Sequence, residues 1–340
     1  MTRLALFGLC LAALATPDAS ALSLVKSSSV SALSLDVGAS LIVRYRATKV
    51  PTFDLTRNYE LQRARVTFDL HYGKHLRLFV EPDFAGSDAD LADTFLDLIP
   101  IPELTFRFGQ GETPFGILET TSRLKMPSIS RGMVSELMSD RTGFGGRRMG
   151  GMVKLKLKEL PLKPELDAGI FGDLSSDFGA DAAARLRLKP IKGLAIDLAW
   201  YHRLDATLER THGNAFELGA LYDREMWFVM IDAWLAYSRL FRKDNLPPTE
   251  NAESFSVRAL FSLRLDLDED LVIEPYVGGS LMNPQLGAGH NLGLEVLGGL
   301  NLHFLRRFRA GIEGQLERGQ ERFSALDLSR LTAILAVDLQ

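Results

Sequence analysis

Apolar and polar residues alternate with a period of two along most of this chain, beginning at Leu35. Leu35, Val37, Ala39, Leu41, Val43 and Tyr45 interleave with Asp36, Gly38, Ser40, Ile42, Arg44 and Arg46. Ala64, Val66, Phe68, Leu70 and Tyr72 interleave with Arg63, Arg65, Thr67, Asp69 and His71. The same rhythm returns at Leu76–Phe84, Ala92–Leu98 and Leu104–Phe108. It then continues through Arg148–Lys158, Glu165–Gly172, Asp181–Lys189, Leu194–Tyr201, Ala215–Tyr222, Glu225–Tyr237, Ser254–Leu265, Leu271–Leu281, Asn291–His303, Phe308–Glu317 and Ser329–Gln340. Alternation of this length predicts strands with two chemically different faces, and the segments number sixteen. Their connections alternate as well. Turns such as Gly73–His75 and Asp223–Arg224 are short, whereas Ala47–Asn58, Gln110–Arg147 and Leu240–Asn251 are long.

The two faces decide the class of fold. One face carries no charge at its repeating positions, as in Ile196, Leu198, Trp200 and in Phe255, Val257, Ala259, Phe261, Leu263. The other is crowded with charge, which a packed core does not hold unpaired. An even number of strands, with tight turns on one rim and longer loops on the other, predicts an all-β, antiparallel transmembrane barrel. Closure also removes the unpaired edges that an open sheet of this size would expose.

One stretch breaks the rhythm. After Leu104–Phe108 the chain passes Gly109-Gln110 and Pro114-Phe115-Gly116, and alternation does not return until Arg148. Connections this long usually have a function. Phe115, Leu118, Met126, Ile129, Met133, Leu137, Met138 and Phe144 make it too apolar for a disordered tail. The expectation is a third loop, about 110–147, folded into the lumen as a constriction.

Composition adds the destination. Arg3, the apolar run Leu4–Leu14 and Ala19-Ser20-Ala21 read as a cleaved secretory signal over residues 1–21, leaving 22–340 as a single barrel domain in the Gram-negative outer membrane. Cys10, the only cysteine, lies in that signal, so the mature chain is expected to have no disulfide and no thiolate-bound metal. A formal charge of -4 with no basic run argues against a nucleic-acid partner. The six histidines are scattered without metal-ligand spacing, and no motif supports catalysis. The chain is read as a non-enzyme without cofactor or metal.

Candidate function therefore rests on charges that face the lumen. Arg63, Arg65, Arg77, Arg107, Lys154, Lys156, Arg185 and Arg187 lie on the polar faces of the first eight strands and are the candidates for an anion path. Later strands turn acids inward instead, among them Asp197, Glu217, Asp232, Glu274, Glu295 and Glu313. A basic wall opposite an acidic one would set a transverse field across a pore. The competing reading pairs these charges across neighbouring strands. Within the loop, Glu112, Arg123, Lys125 and Arg131 are the candidates for the narrowest point.

The segment "QRARVTFDLHYGKHLRLFVEPDFAGSDADLADTFLDLIPIPELTFRFGQ", followed by "PFG", resembles the phosphate-selective porins of Gram-negative outer membranes. The features that carry it are Arg63 and Arg65, Glu81 and Asp83, Leu96-Asp97-Leu98, Gly109-Gln110 and Pro114-Phe115-Gly116, with Asp140-Arg141 near the loop's end. The resemblance covers about a third of the chain. It implies sixteen strands, a homotrimer and passive diffusion. The chain departs from that pattern at Glu112, where the family has lysine, and in lacking an aromatic residue at Gln340. Weak anion preference without a high-affinity phosphate site is the expectation. The rival expectation is a non-conducting barrel whose outer loops bind a surface partner.

Overall fold

A computed structural model describes residues 33–51, 54–86, 89–136, 143–172, 180–205, 211–238, 252–283, 286, 292–305, 307–319 and 327–339. The expected signal, Cys10, Leu137, Met138 and Asp140-Arg141 lie outside them. The first five strands are β1 Leu33–Lys49, β2 Thr56–Tyr72, β3 Leu76–Asp83, β4 Asp90–Ile101 and β5 Leu104–Glu112. Then come β6 Arg147–Lys156, β7 Glu165–Gly172, β8 Ala180–Leu188, β9 Leu194–Asp205, β10 Thr211–Arg224 and β11 Trp227–Ser238. β12 runs Ala252–Leu263 and resumes past Arg264 as Leu265–Asp268, since both pieces pair with the same neighbour. β13 Leu271–Asn283, β14 Gly293–Phe304, β15 Phe308–Gly319 and β16 Leu328–Asp338 complete the sheet.

Each strand pairs antiparallel with the next, and β16 returns to β1 with Leu41 opposite Val337 and Arg46 opposite Thr332. The result is a closed barrel of sixteen strands among the described residues, as the alternation predicts. The ends differ by a few residues. β9 runs on through Asp205 and β10 begins at Thr211, because each extends the other's ladder beyond the last apolar repeat.

Period two becomes inside and outside. Along β10 the exposure swings from 0% at Ala215 to 54% at Phe216, 3% at Glu217 and 55% at Leu218. The exposed set contains Leu198, Ile231, Phe261, Val277, Val296 and Ile312, which together make an apolar outer belt. Placing a charge in that belt is expected to be costly if it faces hydrocarbon. Leu198→Arg should lower the unfolding free energy in vesicles by roughly 2–4 kcal/mol, and arginine at inward Asp36 by far less. Equal losses at both positions would rule out a lipid-facing exterior.

The interior is divided. On the side of β6 to β14, inward apolar residues such as Ala183, Tyr201, Trp234, Phe228 and Leu260 pack with Phe115, Ile117, Leu118, Met126, Met133, Val134 and Phe144 of the third loop. Phe115, Ile117 and Phe144 are fully buried there. A helical turn of the loop, α1 Gly132–Ser135, is buried in the same place. Two glycines make its entry possible. A side chain at Gly109 (φ 131°) would run into the backbone of Thr94 and Phe95, and one at Gly116 (φ 83°) into Glu119 and Trp234.

Candidate functional site

The third loop is held by inward carboxylates that have no basic partner of their own in these contacts. Glu217 accepts the backbone N–H groups of Gly116 (2.8 Å) and Ile117 (2.6 Å). Glu313 accepts those of Ile129 (2.9 Å) and Ser130 (3.1 Å), the Ser130 hydroxyl (2.6 Å) and the Tyr276 hydroxyl (3.0 Å). Glu295 accepts from Met133 N–H (2.5 Å) and the Ser280 hydroxyl (2.9 Å). Cations act from the same wall. Arg309 donates to the carbonyls of Met126 (2.6 Å) and Pro127, and Arg258 donates to that of Arg131 (3.2 Å). Asp197, Asp232, Glu217, Glu295 and Glu313 are all at most 3% exposed. The acidic half of the expected transverse field is therefore covered by the loop rather than presented to solvent. Glu217, Glu295 and Glu313 satisfy backbone donors that would otherwise be buried without partners, whereas Asp197 and Asp232 are paired with Arg187 and Arg258.

What remains open lies on the other side. A cavity of about 380 Å³ separates residues 120–131 of the loop from β1 to β6. Arg63, Arg65, Arg77, Arg123, Arg131 and Arg147 line it, together with Asp36, Asp69, Glu81, Asp93 and Glu112. Among the path candidates read from the sequence, Arg63, Arg65 and Arg77 thus come together on this cavity. Arg107 lies beside it, with its guanidinium 3.4 Å from the Phe95 ring. Lys154, Lys156, Arg185 and Arg187 stand farther round, on β6 and β8. Of the loop candidates, Glu112, Arg123 and Arg131 reach the cavity and exposed Lys125 does not line it.

Pairing divides the eight wall cations. Arg65 bridges Glu81 and Asp83, each at 2.7 Å. Arg77 holds Asp69 (2.8 Å), Arg107 holds Asp97 (2.7 Å), Arg185 holds Asp167 (2.6 Å) and Arg187 holds Asp197 (2.5 Å). No hydrogen bond or ion pair joins Arg63, Lys154 or Lys156 to another described side chain. Cross-strand pairing therefore accounts for five of the eight. Glu112 is paired too, to Arg147 (2.9 Å), which also reaches Asp93 (3.0 Å). Arg131 pairs with Glu119 (2.8 Å) inside the loop.

One residue escaped the sequence reading. β1 and β2 slip register between Ile42 and Val43, so that Arg63 faces Ile42, Leu61 faces Val43, and Gln62 bulges between them. A bulge re-aims its side chains. Gln62, turned so that its amide oxygen accepts, takes hydrogen bonds from Arg44 (2.8 Å) and from Arg123 of the loop. A signal was present: the outward positions run Tyr59, Leu61 and then Ala64, Val66, a change of parity within one strand. Burial, followed by the charges of Arg131, Arg44 and Arg63, pushes the Arg123 guanidinium down to about 10.

A closed sixteen-stranded barrel with an apolar exterior and a long loop packed on its inner wall has the fold of the outer-membrane porins. Solved structures carry the same fold at low sequence identity. OmpT of Vibrio cholerae, an outer-membrane protein in its trimer form, matches with a TM-score of 0.64 at 12% identity, covering 90% of this chain and 99% of that one. OmpF of Salmonella typhi, in complex with daunomycin, matches at 0.66 and 11%, covering 90% and 97%. An anion-selective porin from Comamonas acidovorans matches at 0.64 and 11%, covering 90% and 99%. No protein-family model and no curated protein matches the sequence.

Proposed function

We propose that this chain is an outer-membrane porin that passes small hydrophilic solutes down their gradients, with a weak preference for anions. The observation that carries this is the cavity of about 380 Å³ between the loop and β1 to β6, walled by charged side chains that only water would keep solvated. The loop acts as the constriction and displaces the path toward the arginine-bearing strands. Support for the membrane comes from the apolar belt, and for the anion preference from Arg63 and Arg123, which form no ion pair with a carboxylate among the described residues. The anion selectivity of the Comamonas porin points the same way. The phosphate-selective pattern read in Gln62–Gly116 is kept only as likeness, because Glu112 with Arg147 replaces the expected lysine. A homotrimer is proposed on the trimer form of the Vibrio protein. Enzymatic activity, cofactors and metals have no place in this reading.

Planar bilayers test it. The folded chain should give discrete conductance steps, and a salt gradient should give a small reversal potential of anion-selective sign. A correctly folded sample that opens no channels would favour the non-conducting barrel instead.

A further inference from the structure

Alternation puts Phe79 on the polar face of β3, between Arg77 and Glu81. It stands directly opposite Phe95 of β4, and the two rings stack with centroids 4.9 Å apart and planes 10° from parallel. Phe95 therefore has the Phe79 ring on its β3 side and the Arg107 guanidinium, 3.4 Å from its centroid, on its β5 side. Both cations beside the pair are tied down. Arg107 places two nitrogens on Asp97 (2.7 and 2.8 Å), and Arg77, 5.2 Å from the Phe79 ring, places two on Asp69 (2.8 Å each). Arg77 also approaches Asp97 (3.7 Å), so one connected network fences the rings. Gly109, opposite Phe95, leaves them room, since a Cβ there would lie 2.7 Å from the Phe95 Cα.

Inward aromatic rings elsewhere, such as Tyr201, Trp234, Phe228 and Tyr276, are packed beneath the third loop. Phe79 and Phe95 belong to neither of those clusters. Phe95 is 7% exposed and does not line the open cavity, whereas Phe79 does. The surface of Phe79 away from Phe95 is thus turned to water in a wall otherwise made of charge. Such a surface gains free energy when a flat apolar ring displaces that water, and aromatic rings favour offset stacking beyond the area they bury. Neither Arg77 nor Arg107 is free to add a charge requirement, because each is held by its carboxylate. We propose that Phe79, backed by Phe95, is a stacking platform that gives the pore a preference for small planar aromatic solutes, read by the ring and not by charge. It rests on the channel reading and names a class of solute for it. Arg107 touches no solute in this account and serves to position Phe95.

Two neutral amides of nearly equal size separate ring stacking from charge and from simple hydrophobic contact. Benzamide is flat and aromatic, whereas cyclohexanecarboxamide is puckered and more apolar. Each is titrated against the chloride current of single channels. Benzamide should reduce the current along a saturating curve, with a half-blocking concentration about fivefold below that of the saturated amide. Phe79→Leu, which keeps the apolar volume, should abolish the difference and leave the chloride reversal potential in place. Phe79→Tyr should retain the difference, and Phe95→Leu should reduce it by releasing the ring that backs Phe79. Equal block by the two amides in the native channel would overturn the platform, as would a benzamide preference that survives Phe79→Leu. Failure of the folded chain to conduct would sink the channel reading alone. Magnetisation transfer from the detergent-folded barrel to the benzamide ring protons then decides the platform. Transfer that is weaker in Phe79→Leu than in the native chain supports it, and equal transfer contradicts it.

Discussion

Glu313→Ala is expected to free the middle of the third loop and raise single-channel conductance at least twofold. The carboxylate accepts four hydrogen bonds, from Ile129 N–H, Ser130 N–H and hydroxyl, and Tyr276 hydroxyl. Alanine would leave those donors buried without acceptors, at roughly 1–3 kcal/mol each before relaxation. The loop escapes that penalty by leaving the wall, so the total loss of stability should settle near roughly 3–5 kcal/mol. Heat-unfolding in detergent and current noise read the two consequences separately. Glu313→Gln keeps one acceptor and should lie between. A barrel that loses stability in Glu313→Ala yet keeps its conductance would mean that the loop does not narrow the path.

The second large effect concerns charge. Glu112→Lys changes the cavity wall by two charges and leaves Arg147 with Asp93 alone. At about 4 Å and an effective dielectric near 20, a unit charge is worth on the order of 4 kcal/mol to an ion, and less where water intervenes. Anion selectivity should therefore rise several-fold, with the larger change at low ionic strength, since exposed charges are screened beyond about 10 Å at 0.1 M salt. Reversal potentials in matched gradients measure it. An unmoved reversal potential would place Glu112 off the conduction path.

How far the sequence reaches depends on whether a feature is local. Strand number and the inside–outside assignment of residues such as Leu198 and Glu217 follow from alternation, which is a property of neighbours in the chain. The loop's packing was signalled by Phe115, Met126 and Phe144, apolar residues in a stretch with no strand to bury them. Its attachment points were not signalled. Glu313 lies 184 positions from the Ile129 it holds, and nothing in either segment names the other. The same limit hid which cations are neutralised. Arg63 and Arg65 look alike in sequence, yet β2 pairs Arg65 across from Asp83, while the bulge turns Arg63 to the cavity. An acidic wall was legible as composition, but its covering by the loop is a tertiary fact.

That the open path runs along the arginine-bearing strands, and not through the middle of the barrel, can be tested at two positions in a Cys10→Ser chain. Arg63→Cys and Ala183→Cys both face inward, the first onto the cavity and the second into the packed loop core. A small negatively charged thiol reagent, added during recording, should cut the current in a single step at position 63 and leave position 183 unmodified. Block at 183 with an unaffected current at 63 would place the path through the centre and contradict the account.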